Sequence, residues 1–429
     1  MKSKFIKSTL ILILGGFITK VLGVVIKIFL TRSITTEGIS LYMLVLPTFN
    51  LFITLCTLSL TTSTSKLISE KKRRGKNIIL SIIPTSLVYN FVLMFIVILL
   101  APFISNVLLH NENTYYPLMA ISLTLPFICL SGILRGYFFG KENMFPQVLS
   151  NILEQLVRLF LTIYFIPSLL KVSLVYAVTG VVLINIVSEL SSVILLILFM
   201  PKNTNISLSD FKMDKEILKD VLNISIPTTG SRLIGAIAYF FEPIIITFIL
   251  LRVGYSYSYV EMEYGIINGY VYPLLLLPSF FTLAISNALL PVLSNSFVNK
   301  RYKYAKNKLK QAIIFSLIIG VPTTILFMMF PTFFLKFVFN TTLGVKYILV
   351  AAPFFIFHYI QSPLTICLQA LDKSNVAMRG TLYGCICKII ILAGTCYMKF
   401  GLWSLVIASS VNIMFVTFHH IYYIKKYLK

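Results

Sequence analysis

The feature that most constrains this chain is a series of long apolar runs separated by short polar segments. A membrane-spanning helix needs roughly 20 apolar residues. Twelve runs meet that requirement: 8–30, 41–64, 78–101, 115–138, 147–167, 172–200, 222–251, 266–290, 311–335, 345–370, 376–398 and 402–424. Only 12% of the residues are charged, against about 25% in a typical soluble domain. We therefore predict an all-α, polytopic membrane protein with twelve transmembrane helices.

Positive charge is distributed unevenly between alternate loops. The loops that would face one side, together with both chain ends, hold 26 Lys and Arg, whereas the opposite loops hold six. Cytoplasmic loops carry the excess of Lys and Arg, so both termini are predicted in the cytoplasm and the chain in the cell membrane. This distribution accounts for the formal net charge of +23, and we expect no nucleic-acid partner.

The two halves of the chain resemble each other. The stretch GISLYMLVLPTF at 38–49 has a counterpart in GIINGYVYPLLLLPSF at 265–280, and Lys20 and Arg232 each lie early in the opening helix of a half. An even number of spans per repeat gives both halves the same orientation, with the substrate path between them. We predict two six-helix lobes around a central cavity, with these boundaries: an N-terminal lobe 1–200, a cytoplasmic linker 201–220 and a C-terminal lobe 221–429.

With Arg135, Lys346 and Arg379 counted among the adjoining loops, eight charged side chains fall inside the predicted spans: Lys20, Lys27, Glu154, Arg158, Glu189, Arg232, Glu242 and Lys388. A charge at the centre of a membrane helix costs at least ~2.5 kcal/mol on insertion scales, so such a residue normally faces a partner or a water-filled cavity. Five of the eight are basic, and a cavity lined by them would attract anions. We assign the five basic residues to substrate binding and the three glutamates to coupling or gating.

Some of these residues admit a structural interpretation as well. Lys20 and Lys27 are two helical turns apart and share a face, but Lys27 is close enough to the outer end to extend to the interface. Glu154 and Arg158 have the i, i+4 spacing of a helical ion pair, or Arg158 is exposed to the lumen and held there by Glu154. Glu189 lies among small polar residues that could bond it between helices.

The seventh span combines charge with proline. Arg232 and Glu242 are ten residues apart, about 15 Å along a helix, and therefore cannot pair directly. Pro227 and Pro243 each remove a backbone donor and can bend a helix. Because bending suits a gate, we add both prolines to the gating residues.

Motifs of soluble enzymes are missing from the sequence. It contains no GxxxxGK[ST] and no HExxH, and His419 and His420 have no neighbouring carboxylates. A membrane glycosyltransferase or acyltransferase needs a catalytic cluster near one membrane face, but the loops are short and carry few acids. A scaffold that recruits cell-wall enzymes would leave the intramembrane charges unexplained. We therefore predict no enzyme activity, no metal and no cofactor, with ion or membrane-potential coupling left open.

Three stretches carry a family resemblance: FIKSTLILILGGFITKVLGVVIKIFLTRSITTEGISLYMLVLP, LSGILRGYFFGKENMFPQVLSNILEQLVRL, and IPTTGSRLIGAIAYFFEPIIITFIL through YPLLLLPSFFTLAISNALLPVLS. They resemble the polysaccharide-transport branch of the multidrug/oligosaccharidyl-lipid/polysaccharide flippase superfamily, whose members work by alternating access. In related flippases, basic residues on the first and seventh helices contact a diphosphate, and Lys20 and Arg232 match those positions. Glu242 stands where Asp is expected, and many members have fourteen spans.

The resemblance implies a transporter that flips undecaprenyl-diphosphate-linked oligosaccharide to the outer leaflet, for peptidoglycan or another cell-wall polymer and for sporulation. Its partners would be the lipid-linked sugar, membrane lipids and cell-wall synthesis enzymes, and we expect a monomer. The alternative is a cation-coupled multidrug exporter of the same superfamily. Such exporters need a buried acid, which Glu242 or Glu189 could supply, but the first helix carries Lys20 and no acid.

Overall fold

The computed structural model describes residues 2–70, 75–201 and 214–428. Part of the predicted cytoplasmic charge, at 71–74, and most of the predicted linker, at 202–213, lie outside these residues. The described residues form sixteen α-helices and no β-strand. The helices are α1 Lys2–Ser33, α2 Thr36–Thr57, α3 Leu60–Ser69, α4 Gly75–Phe103, α5 Tyr115–Gly140, α6 Met144–Leu170, α7 Leu174–Leu198, α8 Lys215–Arg252, α9 Tyr257–Ile266, α10 Tyr272–Leu276, α11 Ser279–Val298, α12 Tyr302–Met329, α13 Pro331–Phe339, α14 Val345–Ala370, α15 Ser374–Tyr397 and α16 Trp403–Tyr427.

Eleven helical segments of the described chain are long and apolar enough to cross a membrane, and a bent pair makes twelve if it is a single span. The bent pair is Tyr257–Leu276 with Ser279–Ser286, which meet at 50°. It covers most of the eighth predicted span, 266–290. A helix satisfies its own backbone groups, which lipid cannot do. The predicted class, an all-helical polytopic membrane protein, is confirmed.

The chain divides into two compact units, Met1–Phe240 and Phe241–Lys429. The division falls inside α8, which begins at Lys215 and continues without interruption past Pro227 and Pro243. The lobe boundaries inferred from sequence, and the gating role of the two prolines, stay predictions.

In the first unit, one membrane segment is broken in the middle. Between α2 and α3, Leu58 and Ser59 have φ values of 41° and 52°, which end one helix and start the next. The end of a helix leaves carbonyl oxygens without a partner inside the helix. Tyr89 and Asn90 of α4 donate to two such oxygens of α2, at 3.2 and 3.3 Å. Side chains of a neighbouring helix therefore satisfy the break.

Hydroxyl groups of α8 contact the same region. Thr229 donates to Ser59 at the break (3.2 Å), and Ser225 donates to Ser63 one turn further into α3 (2.9 Å). All four side chains are buried. Hydrogen bonds between hydroxyls are a common way to join helices in lipid, and here they attach the first part of α8 to α3.

Glycines bring α5 close to α3. A Cβ atom at Gly136 would lie 2.7 Å from the carbonyl oxygen of Thr61, and one at Gly140 would lie 2.7 Å from that of Ser65. The Thr61 hydroxyl also donates to the carbonyl of Gly132 at 2.9 Å. Small residues spaced by four allow backbones to approach in this way. The contact fixes the rotation of α5.

In the second unit, α15 lies close to α16. A Cβ atom at Gly384 would lie 2.5 Å from both Asn412 and Val416 of α16. Gly384 precedes Lys388 by one helical turn, so the packing of α15 on α16 positions Lys388. On another side of this unit, the Tyr359 hydroxyl of α14 donates to the carbonyl of Leu275 at 2.7 Å.

Candidate functional site

The first unit contains a buried group of two arginines and two glutamates. Arg135 of α5 donates through Nη2 to Glu154 Oε2 of α6 at 2.6 Å and to Glu189 Oε2 of α7 at 3.2 Å. Arg158 donates through Nη2 to Glu154 Oε1 at 2.6 Å. The i, i+4 pair predicted from sequence is thus confirmed, and both glutamates have basic partners. We call these four residues the arginine–glutamate group.

Arg135 corrects one expectation. From sequence it counts as a cation of the loop at 135–141, but it lies inside α5, with only 20% of its side chain exposed. The physical reason is that α5 continues as a helix to Gly140, so that Arg135 lies more than one turn before its end, within the predicted span 115–138 rather than in the loop. A signal was present in the sequence, because Arg135 has apolar residues on both sides and the glutamates of neighbouring spans needed partners.

Serines complete this group. Ser192 accepts a hydrogen bond from Arg135 at 3.1 Å, and Ser188 accepts one from Arg158 at 3.3 Å. Both serines belong to α7, whose sequence SELSS places small hydroxyls on either side of Glu189. The small polar residues noted in the sequence therefore bond the arginines rather than the glutamate.

Beside this group lies a cavity of about 230 Å³ in the first unit. Its polar lining comes from four helices: Lys27 and Thr31 of α1, Tyr42 of α2, Gln155, Arg158 and Thr162 of α6, and Asn185 of α7. Lys27 is half-buried and has no ion pair or hydrogen bond from its ammonium group to any described residue. The structure thus brings together Lys27 and Arg158, which the sequence did not link.

Lys20 lies on the same side of α1 as Lys27 but outside this cavity. It is exposed and makes no ion pair or hydrogen bond within residues 2–70, 75–201 and 214–428. Four residues earlier, a Cβ atom at Gly16 would meet no atom within 4 Å. This face of α1 is therefore open around Lys20.

Arg232 has a similar environment. It is an exposed residue of α8 with no ion pair in the described part of the chain, and a Cβ atom at Gly235 would meet nothing within 4 Å. Arg232 and Lys20 both belong to the unit Met1–Phe240. The structure brings neither into contact with a carboxylate among the described residues.

The second unit pairs two residues that the sequence assigned to different roles. Glu242 of α8 is 3% exposed and forms an ion pair with Lys388 of α15, whose side chain is 20% exposed. The Tyr264 hydroxyl of α9 donates to Glu242 Oε1 at 3.4 Å. Lys388 is more than a hundred residues away along the chain, so no local spacing could have predicted the pair.

Together, these contacts divide the intramembrane charges into two classes. Glu154, Glu189 and Glu242 are buried and each contacts a basic side chain. Three of the five predicted binding cations, Lys20, Lys27 and Arg232, have no carboxylate partner among the described residues. Such unpaired cations are suited to holding an anion. No cluster of three or more His, Cys, Asp or Glu in the described chain could hold a metal ion.

Comparison with known proteins settles the family. The sequence model of the family described as Polysaccharide biosynthesis protein matches residues 5–297. The chain belongs to this family. A second model, MatE, matches residues 268–395. The protein is a transporter of the multidrug/oligosaccharidyl-lipid/polysaccharide flippase superfamily rather than an enzyme, as the resemblance predicted.

Individual relatives agree with this assignment. Stage V sporulation protein B of Bacillus subtilis (strain 168) is 33% identical over 440 residues, covering 100% of this chain and 85% of that protein. Lipid II flippase MurJ of the same organism is 22% identical, covering 91% and 77%. An inward-facing multidrug resistance MATE family transporter has the same fold, with a TM-score of 0.78 at 16% identity, covering 96% and 94%.

Proposed function

We propose that this protein flips undecaprenyl-diphosphate-linked oligosaccharide, a peptidoglycan or other cell-wall precursor, from the inner to the outer leaflet by alternating access. The observation that supports the proposal is the division of charge inside the membrane helices. The buried glutamates are already paired with cations, whereas Lys20 and Arg232 are exposed and have no such partner among the residues that the structure describes. The available intramembrane charge is therefore positive, as an anionic substrate requires.

A diphosphate suits this pair of side chains. The guanidinium of Arg232 can bind phosphate oxygens through two parallel N–H groups, and the ammonium of Lys20 acts as a compact point charge. Lys20 lies within the candidate span Leu14–Ser33 and Arg232 at the start of the candidate span Arg232–Arg252, and a lipid headgroup would pass both. We assign the diphosphate contact to these two residues.

The names of the relatives support the same class of substrate. One is called a lipid II flippase and another a sporulation protein. We therefore extend the proposal to cell-wall synthesis during sporulation. Both termini in the cytoplasm, a monomeric state and contact with cell-wall synthesis enzymes belong to the same proposal.

The test is a flipping assay in proteoliposomes. Purified protein is reconstituted with a labelled undecaprenyl-diphosphate disaccharide, and the fraction that becomes accessible on the opposite leaflet is measured over time. We expect Lys20→Gln and Arg232→Gln each to reduce the rate at least tenfold. The control is Arg252→Gln, at the end of the same helix as Arg232, whose guanidinium lies 3.9 Å above the ring of Phe248. Wild-type rates in both Lys20→Gln and Arg232→Gln would refute the diphosphate assignment.

The alternative is a cation-coupled multidrug exporter, and the match of the MatE model to residues 268–395 is the observation that favours it. It requires an acid that can take up and release a cation. Glu242 could do so only if Lys388 left it. An efflux assay with a cationic dye, run on the same proteoliposomes, separates the two functions: dye transport driven by a proton or sodium gradient, without lipid flipping, would favour the exporter.

A further inference from the structure

The cavity between α1, α2, α6 and α7 has a distinctive balance of charge. Among the described residues, two cations line it, Lys27 and Arg158, and no carboxylate does. Of these two cations, Arg158 forms an ion pair with a described carboxylate, that of Glu154, and Glu154 also pairs with Arg135. The arginine–glutamate group, with two positive and two negative charges, is neutral by itself. Lys27 therefore adds one positive charge that no described acid offsets.

Arg158 also has unused bonding capacity. Its Nη2 donates to Glu154 and Ser188, but its Nε is buried and has no hydrogen-bond partner. A buried donor without a partner costs free energy when nothing replaces its hydrogen bond. The half-buried ammonium of Lys27 has no counter-charge among the described residues, which costs free energy as well. One small anion in the cavity would relieve both costs.

We propose that this cavity binds a small inorganic monoanion between the ammonium of Lys27 and the guanidinium of Arg158. The charge of the ligand follows from the single unbalanced positive charge. Its size follows from the volume, because about 230 Å³ is less than the 300–1,000 Å³ typical of sites for drug-sized ligands. The space is large enough for an ion with a few waters.

Binding at this place would join two helices. Lys27 lies on α1 and Arg158 on α6. Asn185 of α7 also lines the cavity, but its amide group already donates to the carbonyls of Val181 and Val182 within α7. The anion would hold the outer part of α1 against α6. The site is separate from Lys20 and does not depend on the identity of the lipid substrate.

The test measures thermal unfolding of the purified, full-length protein in detergent, in sodium chloride and in sodium gluconate of equal ionic strength. We expect chloride to raise the Tm by about 2 °C or more, with saturation as its concentration increases. Lys27→Met should abolish this response and raise the Tm in gluconate, because it removes the unbalanced charge. Lys27→Arg, which keeps the charge, should retain the response.

The control is Lys171→Met, which removes an exposed lysine of the same unit just after α6 and should keep the full chloride response. Equal Tm values of the wild type in chloride and gluconate would mean that Lys27 is only hydrated, and would overturn the proposal. A chloride response that survives Lys27→Met would place the anion elsewhere and would also overturn it. If phosphate stabilises at the same concentration and chloride does not, the site recognises phosphoryl groups and the monoanion is wrong.

A direct readout is available in a crystal. Crystals grown in bromide should show an anomalous peak between Lys27 and Arg158, and crystals of Lys27→Met should lack it. A peak of equal height in the variant would contradict the assignment.

Discussion

Lys388→Met should leave Glu242 as a buried carboxylate without a counter-charge. Glu242 is 3% exposed, and its hydrogen bond from Tyr264, at 3.4 Å, is long. Breaking a buried ion pair by removing one partner typically costs 3–5 kcal/mol. Protonation limits the cost, since protonating an ordinary glutamate at pH 7 requires about 3.7 kcal/mol. We therefore expect the free energy of unfolding to fall by about 3–4 kcal/mol at pH 7.

The reciprocal substitution should cost less. Glu242→Gln leaves Lys388, but 20% of that side chain is exposed, so its ammonium keeps access to water and we expect a loss of about 1–3 kcal/mol. The double variant Glu242→Gln/Lys388→Met removes both charges. Because replacing a whole buried pair by neutral groups is often without cost, the double variant should recover most of the stability lost in Lys388→Met.

The assay is reversible unfolding in mixed micelles, titrated with a denaturing detergent at pH 7 and pH 5. At pH 5, protonating a glutamate costs only about 1 kcal/mol, so the penalty of Lys388→Met should shrink towards that value as the pH falls. The reasoning is refuted if Lys388→Met unfolds with the wild-type free energy at pH 7. A penalty that is large but equal at both pH values would mean that lost packing, and not a stranded charge, is responsible.

Two further substitutions test the first unit by the same unfolding assay. Arg135→Gln should lower the free energy of unfolding by about 3–5 kcal/mol, because Arg135 contacts both buried glutamates. The control Arg379→Gln, at an exposed residue, should stay within about 0.5 kcal/mol of the wild type. Equal effects of the two substitutions would mean that the arginine–glutamate group does not stabilise the fold. Gly140→Ala should cost about 1–3 kcal/mol, because its Cβ atom would meet a carbonyl oxygen of α3 at 2.7 Å. Gly235→Ala, also in a helix but facing open space, should instead gain up to about 1 kcal/mol, and a loss there as large as at Gly140 would contradict the packing.

The sequence predicted the membrane helices well because the requirement for a long apolar run is local. Each span can be recognised within its own twenty or so residues. The bent eighth span was harder: 266–290 reads as a continuous apolar run, whereas the chain turns by 50° between Leu276 and Ser279. The break at Leu58 and Ser59 was missed as well, because neither residue is a glycine or a proline.

The ion-pair partners of the charged residues could be predicted only where both residues lie on one helix. The pair Glu154–Arg158 was predictable because both residues lie on one helix, four residues apart. The partners of Glu189 and Glu242 lie on other helices and depend on the rotation of each helix. For Arg135 that rotation is set by the glycine contact of α5 with α3, and the sequence does not say which helix these glycines contact.

The break between α2 and α3 has a consequence for how the protein is made. Its polar groups lie in a segment of membrane length, where lipid offers no hydrogen bonds. Their partners come from α4 and from Ser225 and Thr229 of α8. Ser225, which donates to Ser63 of α3, lies 162 residues further along the chain than Ser63. At about 5–20 residues per second, the ribosome reaches Tyr89 and Asn90 of α4 roughly 2–7 s after their partners in α2, because each lies 34 residues further along the chain, but it needs roughly 8–32 s to reach Ser225. During that interval the new segment has to be sheltered, by the insertion machinery or by water at the membrane surface, before it takes its final shape.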